Sequence, residues 1–381
     1  MILRRKRVRN RHDMVLRHVG WRVLELQMST IHDSQVWPGV PMALASAMLF
    51  GASTPLTKVL LGAIAPQMVA GLLYLGAGIG LGLVHLGRTG LRLPTTEATL
   101  RGAEMPLLAA VVVIGGCLAP LLLTFGLQRT SASTGSMLLN LESVATMGIA
   151  WCVFRENVDG RLLLGAFAIV LGAIVLSWDG EGIGFHTGGA LIAGACLAWG
   201  LDNNLTRKLS AADPVITTMI KGMIAGTVNV SLALAVGLEL PSLSLICAAA
   251  LVGFLGVGVS LVLFVLALRH LGTARTGAYF SLAPFIGAIV AIVLLGDALT
   301  LRLALAGLLM GSGLWLHLTE RHEHDHQHEL LEHEHRHVHD EHHQHDHQGD
   351  KTVPHSHWHE HQPLRHKHPH YPDLHHRHKH S

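Results

Sequence analysis

Between residues 41 and 318 the chain is a succession of apolar runs, most of about 20 residues, separated by short connections rich in Gly, Pro or charge. A helix of about 20 residues spans about 30 Å, the thickness of a bilayer's hydrocarbon core. Ten such runs can be counted, at 41–61, 66–87, 104–126, 131–154, 160–178, 187–208, 214–237, 243–268, 273–295 and 300–318. Backbone polar groups must be paired within lipid, so runs of this length are expected to be helices; barrel strands would be shorter and alternating. Only 14% of residues are charged and 50% are hydrophobic, against about 25% charged in a soluble domain. A single water-soluble globule is excluded, and so is disorder over most of the chain. The fold class expected is an all-α integral membrane protein of ten transmembrane helices, with the lipid bilayer as its first partner.

The two ends differ from this body. Residues 1–36 begin Met1-Ile-Leu-Arg-Arg-Lys-Arg-Val-Arg and hold no long apolar core, unlike a secretory signal. They read as a basic, disordered arm, with residues 1–27 either mobile or an over-long start ahead of Met28. Residues 319–381 hold 23 of the 30 His, 12 acidic residues and 7 Lys/Arg. The net charge of +2 therefore averages a basic apolar body with a His-rich acidic tail; it gives no reason to expect a nucleic-acid partner.

Orientation is read from Lys and Arg, which favour cytoplasmic loops. With the N-terminus inside, the cytoplasmic connections carry Arg88, Arg92, Arg101, Arg155, Arg161, Arg207, Lys208, Arg269 and Arg275, and the external ones only Lys58, Arg129 and Arg302. Ten spans return the C-terminus to the cytoplasm, so both termini are expected inside, in a bacterial inner membrane.

The two halves resemble each other. Phe50-Gly51 through Leu56-Thr57-Lys58 aligns with Trp199-Gly200 through Leu205-Thr206-Arg207, 149 positions on. Further along the offset is 141: Gly115 meets Gly256, Leu127 meets Leu268, Leu141-Glu-Ser143 meets Leu282-Ala-Pro284, and Glu156 meets Asp297. Each repeat holds five expected spans, an odd number, so the second would run inverted in the membrane. Inverted repeats with a midplane site at their interface are a signature of secondary transporters.

Asn140-Leu141-Glu142-Ser143 through Arg155-Glu156 resembles the fourth-helix motif of EamA-type transporters of the drug/metabolite transporter superfamily, and Ser281-Leu-Ala-Pro284 through Gly296-Asp297 resembles its ninth-helix copy. Ser143 stands where that family usually has Pro, which weakens the expected helix break. The resemblance covers about 41–318. It implies a 5+5 helix transporter of small solutes, with repeats at 37–180 and 181–318 and a cavity lined by spans 1, 3, 4, 6, 8 and 9.

No nucleophile elbow, P-loop or dinucleotide turn is present, so no enzyme activity is expected. The candidate substrate pathway rests on polar groups inside spans, where they are costly and usually functional. Glu142 lies near the middle of span 4, on a stripe with Ser131, Gly135 and Thr146, and reads either as a coupling carboxyl or as a structural one. Asp202, Asn203 and Asn204 cluster in span 6 after Trp199, opposite Ser53 and Thr54 at the equivalent place in span 1. Lys221, two turns into span 7, either snorkels to the surface or pairs with Asp202 or Glu142. Asn140 and Tyr279 complete the set. The four cysteines sit in apolar runs with no metal or redox spacing and read as buried small hydrophobes.

The tail is a different kind of site. His322, His324, His326 and His328, then His333, His335, His337 and His339, then His342, His343, His345 and His347, then His355, His357, His359 and His361 alternate with acidic and polar residues. Neutral imidazole is a ligand for Zn, Ni, Co and Cu, and such tracts read as disordered metal-binding segments. No cofactor is required by this reading; divalent transition metals are the ions the tail would bind. Three functions are thus expected in order: secondary transport of a small solute, most simply export; transition-metal transport; and a membrane-anchored metal buffer or sensor. The sequence assigns no oligomeric state.

Overall fold

A computed structural model describes residues 38–91, 102–153, 158, 160–178, 187–206 and 213–319, with four short tail segments at 323–327, 331–337, 355–361 and 365–369. The expected arm at 1–36 lies outside the described residues.

The body is helical. In chain order the helices are α1 Gly39–Leu60, α2 Pro66–Gly90, α3 Met105–Val111, α4 Ala119–Gln128, α5 Ala132–Leu138, α6 Leu141–Cys152 and α7 Gly160–Ser177. The second half holds α8 Thr187–Thr206, α9 Pro214–Ala235, α10 Leu243–Gly253, α11 Ser260–Phe280, α12 Ala283–Leu295 and α13 Leu301–Leu318. A π-helical segment, Val112–Leu118, joins α3 to α4, and another, Phe254–Val259, joins α10 to α11. Local chemistry sets the ends. Pro66 and Pro214 open α2 and α9, where a missing N–H costs nothing. Ser131, Asp213 and Thr300 accept backbone N–H bonds as N-caps of α5, α9 and α13. Gly296 closes α12 in the left-handed region at φ 72°.

Eight helical stretches among the described residues are long and apolar enough to cross a membrane. Two of the ten expected spans are not among them. Span 4 is divided into α5 and α6 at residues 139–140, and span 6, the helix α8, carries Asp202, Asn203 and Asn204. A second difference lies between expected spans 8 and 9: α11 continues through 269–272, and the break falls at 281–282 instead.

The break inside span 4 occurs without a proline. Asn140 Nδ2 donates to Met137 O at 2.9 Å and Ser143 Oγ donates to Asn140 O at 2.8 Å. The Met137 carbonyl also accepts the Asn140 backbone N–H at 3.1 Å, so these side chains add second bonds to carbonyls at the interruption. The sequence pattern points to a weaker break at Ser143; the helix is nevertheless interrupted at 139–140, with Asn140 and Ser143 side chains bonding to carbonyls there.

Large apolar side chains cover the outside, among them Leu83, Phe167, Val293 and Leu308, each more than 60% exposed. Such a surface suits lipid and not water. Inside, the helices pair across the two halves. α2 packs along α9 and α7 along α13, the most extensive contacts in the body.

Other contacts exchange under the sequence offsets. Gly51 of α1 lies against Ala283, Ile286 and Gly287, while Gly200 of α8 lies against Ala145 and Thr146. Gly51 and Gly200 differ by 149 positions; Ile286 and Ala145, like Gly287 and Thr146, differ by 141. The repeat seen in the sequence is therefore also a repeat of helix–helix contacts.

The four tail segments form two antiparallel ladders, Glu323–Gln327 with Arg365–Pro369 and Leu331–His337 with His355–His361. In these segments paired strands stand where disorder was expected.

Candidate functional site

The two π-helical segments bring backbone to the repeat interface. Gly115 lies in the first and Gly256, 141 positions on, in the second. Gly115 lies directly against the Asp202 carboxylate of α8, and Gly256 against Ser53 of α1. Asp202 and Ser53 are themselves repeat partners. A Cβ at Gly115 would occupy the space of the carboxylate, so only glycine allows this approach.

Around Gly115 a polar centre is assembled inside the body. Asp202 is 4% and Lys221 8% exposed, and Lys221 Nζ lies 2.5 Å from Asp202 Oδ2. Thr206 Oγ1 is 3.4 Å from Asp202 Oδ1. Of the two alternatives for Lys221, the structure takes the ion pair. The Gly115 carbonyl accepts from Tyr74 OH at 3.0 Å and from Trp199 Nε1 at 3.1 Å. A π-helical turn shifts the helix's hydrogen-bonding register, and here a backbone acceptor takes two side-chain donors from α2 and α8. Both buried aromatic donors are thereby satisfied, as buried N–H and O–H groups require.

Glu142 opens the neighbouring part of the site. Its Oε1 accepts from Asn203 Nδ2 at 2.9 Å, and the same Nδ2 is 3.2 Å from Thr146 Oγ1. Asn203 is exposed and Glu142 partly so, in contrast to the enclosed Asp202. Two carboxylates on α6 and α8 thus present different faces: one sealed by an ammonium, the other reachable and held by an amide.

An aromatic row adjoins this centre. Phe50 meets Trp199 edge-on at a centroid distance of 6.5 Å, Phe280 at 5.3 Å, and Phe280 meets Phe264 at 4.8 Å. Phe50 and Trp199 are repeat partners touching each other, which places them where the two halves meet.

The remaining sequence candidates separate. Asn204 is buried and donates to Thr146 O and Gly200 O, tying α8 to α6 as a structural amide. Asn140 serves the helix break. Ser53 Oγ donates to Phe50 O within α1, and Thr54 is buried on the same helix. Tyr279 packs with Ala43, Ala267 and Leu271. Of the cysteines, Cys196 is buried but Cys152 and Cys247 are exposed, so the expected burial holds for one and fails for two; their apolar runs face outward there, which periodicity in an apolar helix does not reveal.

Tyr74 was not among the sequence candidates. Its signal was present: a phenol in the middle of an otherwise apolar span must find an acceptor. Gly115 was noted only as a repeat match.

Among the described residues no group of three or more His, Cys, Asp or Glu comes together as a metal site. His322, His328, His339, His342, His343, His345 and His347 lie outside the described residues, and the other tail candidates are described only by strand register. In that register His324 faces His368, His326 faces His366, and His333, His335 and His337 face His359, His357 and His355.

Comparison with known proteins agrees with this architecture. Residues 37–178 and again 186–319 match the EamA-like transporter family. An uncharacterized transporter of Methanothermobacter thermautotrophicus is 28% identical over 300 residues, covering 74% of this chain and 86% of that protein. A protein of known crystal structure matches at a TM-score of 0.53 and 16% identity, over 74% of this chain and 96% of its own, a likeness of fold alone.

Proposed function

The chain belongs to the EamA-like transporter family, and from that premise we propose that it is a secondary active transporter, an exporter of small solutes, with a metal-binding cytoplasmic tail. The observation that carries this reading is the pair of carboxylates at the repeat interface. Asp202 is neutralised by Lys221, while Glu142 is accessible and held only by neutral partners. A carboxyl without a counter-charge inside a membrane protein is costly unless it exchanges something. Glu142 is therefore the group whose charge state changes during the cycle. Asp202, Lys221, Trp199 and Asn203 form the wall it works against. The membrane is the bacterial inner membrane, with both termini in the cytoplasm.

Transition-metal transport is the second reading, supported by the tail's 23 His. It finds less support in the body, where a soft-metal path needs imidazole or thiolate ligands and the polar centre offers carboxylate and amide. In this proposal the tail binds Zn, Ni, Co or Cu as a cytoplasmic buffer beside a transporter of other solutes.

A strain lacking the protein, screened for sensitivity to metals and to amino-acid analogues, supplies the substrate. Glu142→Gln then tests the site: transport into inverted vesicles should fall to background while membrane abundance stays near normal. Transport at the wild-type rate by that variant would remove Glu142 from the mechanism.

A further inference from the structure

The two π-helical segments stand at equivalent places in the repeats, yet their surroundings are chemically unlike. The first, Val112–Leu118, is held by three buried side-chain donors. Tyr74 OH of α2 and Trp199 Nε1 of α8 donate to Gly115 O at 3.0 and 3.1 Å, and Asn229 Nδ2 of α9 donates to Cys117 O at 3.3 Å. A π turn interrupts the regular helix ladder and is a place where a helix bends. Here three helices fix that bend with bonds that tolerate little change of geometry. Among the described residues no hydrogen bond joins a side chain to a backbone group of the second segment, Phe254–Val259.

The repeat identifies what stands in the donors' places. Pro66, which opens α2, corresponds to Pro214, which opens α9, 148 positions on. Gly78 lies against Met223 and Gly226 against Leu75, two contacts that exchange under the same offset. Tyr74 then corresponds to Gly222 and Asn229 to Leu81, while Trp199 corresponds to Phe50 at 149. None of these three counterparts has a side-chain donor. The second segment keeps the packing without the bonds: Leu81 lies against Gly258, which stands 141 positions after Cys117, the acceptor of Asn229. Hydroxyls appear one residue past the segment. Ser46 Oγ donates to Ser260 O at 2.8 Å and Ser260 Oγ to Ser46 O at 3.0 Å, tying α1 to α11. Their counterparts, Ala195 in α8 and Ala119 in α4, carry no hydroxyl. One half of the chain thus bonds its π segment to the α2–α9 scaffold, and the other bonds only α1 to α11.

We propose that Phe254–Val259 is the hinge on which the solute path opens and that Val112–Leu118 is a fixed anchor. Apolar contact is non-directional and can be remade after a rotation; a set of three hydrogen bonds cannot be kept through one. The pair α1–α11, closely packed and joined by Ser46 and Ser260, swings against the scaffold of α2 and α9. The pair α4–α8 is bonded to that scaffold through the first segment and stays with it. A few residues at an element's end suffice for such a hinge. The movement is therefore one-sided, although the repeats are alike in topology. Asp202 stays where Gly115 meets it, while Phe50, Phe264 and Phe280, carried by α1 and α11, move past Trp199 on α8. The swing parts the Phe50–Trp199 edge contact and, at one end, the bond from Lys58 of α1 to Leu127 O of α4. Tyr74 and Asn229 act through the first segment as positioning residues.

The hinge rests on the transport reading, since a one-sided swing matters only to a path that opens and closes, but its test reads distances. In full-length protein lacking its four cysteines, Val236→Cys, just past α9, places a spin label on the scaffold. Val59→Cys on α1 labels the swinging pair and Ala190→Cys on α8 the fixed pair; all three positions are exposed. Electron-spin distance measurement in lipid nanodiscs should give two separations between positions 59 and 236 and one between 190 and 236. The deciding variants exchange residues between the repeats. Leu81→Asn gives Gly258 the donor that Cys117 has, and should remove one of the two separations between 59 and 236. Asn229→Leu with Tyr74→Phe withdraws donors from the first segment, and should add a second separation between 190 and 236. Monodispersity and thermal stability, measured alongside, identify a variant that has misfolded. Gly258→Ala then replaces Leu81→Asn, because a methyl group there meets Ala77 and Leu81 at ordinary contact distance and withdraws backbone freedom from the hinge. Tyr74→Phe alone replaces the double variant, and the same changes are expected. In the parent, two separations between 190 and 236 or one between 59 and 236 would overturn the hinge, as would distributions that the folded variants leave unmoved. The expected pattern in a protein that moves no solute in any vesicle assay would keep the hinge and remove the transport reading; equal motion of both pairs in a protein that transports would do the reverse.

Discussion

Asp202 and Lys221 show how a single residue's surroundings decide between two readings of the same sequence. A lysine two turns into a span could have reached the surface along its own stem. It instead turns inward because Asp202, one helix away, is enclosed and needs a cation. Removing either partner leaves an isolated charge in a dry interior, which costs about 3–5 kcal/mol. Asp202→Asn and Lys221→Met should therefore each lower the thermal unfolding temperature of the purified protein sharply. The double variant should recover most of that loss, because no charge is left unpaired, yet it should not recover transport. A single variant as stable as the parent would mean that the pair is not buried. The pairing itself could not be read from the chain, because an ion pair depends on which face of each helix the neighbour meets. The need for a partner could be read, as it could for Glu142.

At the scale of elements, what was legible and what was not divide along a physical line. Length and apolarity identified where most helices run, because the bilayer imposes both. The polar span expected at 187–208 is the helix α8, whereas the run expected at 131–154 is divided into α5 and α6, a division that length and apolarity do not show; these are the elements that build the site. The π-helical segments around Gly115 and Gly256 had no signature beyond glycine, and such segments recur at functional sites. The interruption before α6 supplies a prediction. Asn140 and Ser143 side chains add bonds to its carbonyls, and Ser143 is the third residue of α6, where the backbone N–H has no intrahelical obligation. Ser143→Pro should therefore fold to near-normal abundance and transport at close to the parent rate, losing at most the one hydroxyl bond, about 1 kcal/mol. Asn140→Ala should be the more damaging of the two, since it leaves the buried Met137 carbonyl without its side-chain donor. Immunoblot abundance and vesicle transport measured together distinguish these outcomes; a collapse of Ser143→Pro to undetectable abundance would show that α6 begins earlier than its side-chain bonds indicate.

For the whole molecule, the question is how an acidic, His-rich tail relates to an apolar body that carries most of the basic charge. The Lys/Arg distribution predicts that a reporter fused after residue 318 is active only as a cytoplasmic fusion; a periplasmic signal would overturn either the orientation or the parity of spans. If the tail is cytoplasmic, its histidines work near neutral pH, where an imidazole of ordinary pKa, about 6.5, is mostly unprotonated. Metal ligation needs that neutral form. A ladder of two polar strands has no apolar face to bury and is marginal alone in water. The observed register, however, sets His against His at five positions, so bound ions would supply the cross-links that a core does not. Two consequences follow for calorimetry with Zn and Ni, read as the difference between the full-length protein in nanodiscs and a form ending at residue 318. The full-length chain should take up several additional ions at pH 7.5, and that uptake should fall steeply as pH drops through about 6.5 and be nearly gone by pH 5. Replacing one histidine should change little, because its neighbours substitute; replacing His333, His335, His357 and His359 together should remove at least one ion. Fewer than one additional ion per chain at neutral pH, or uptake unchanged at pH 5, would leave the tail a polar segment without a role in metal binding.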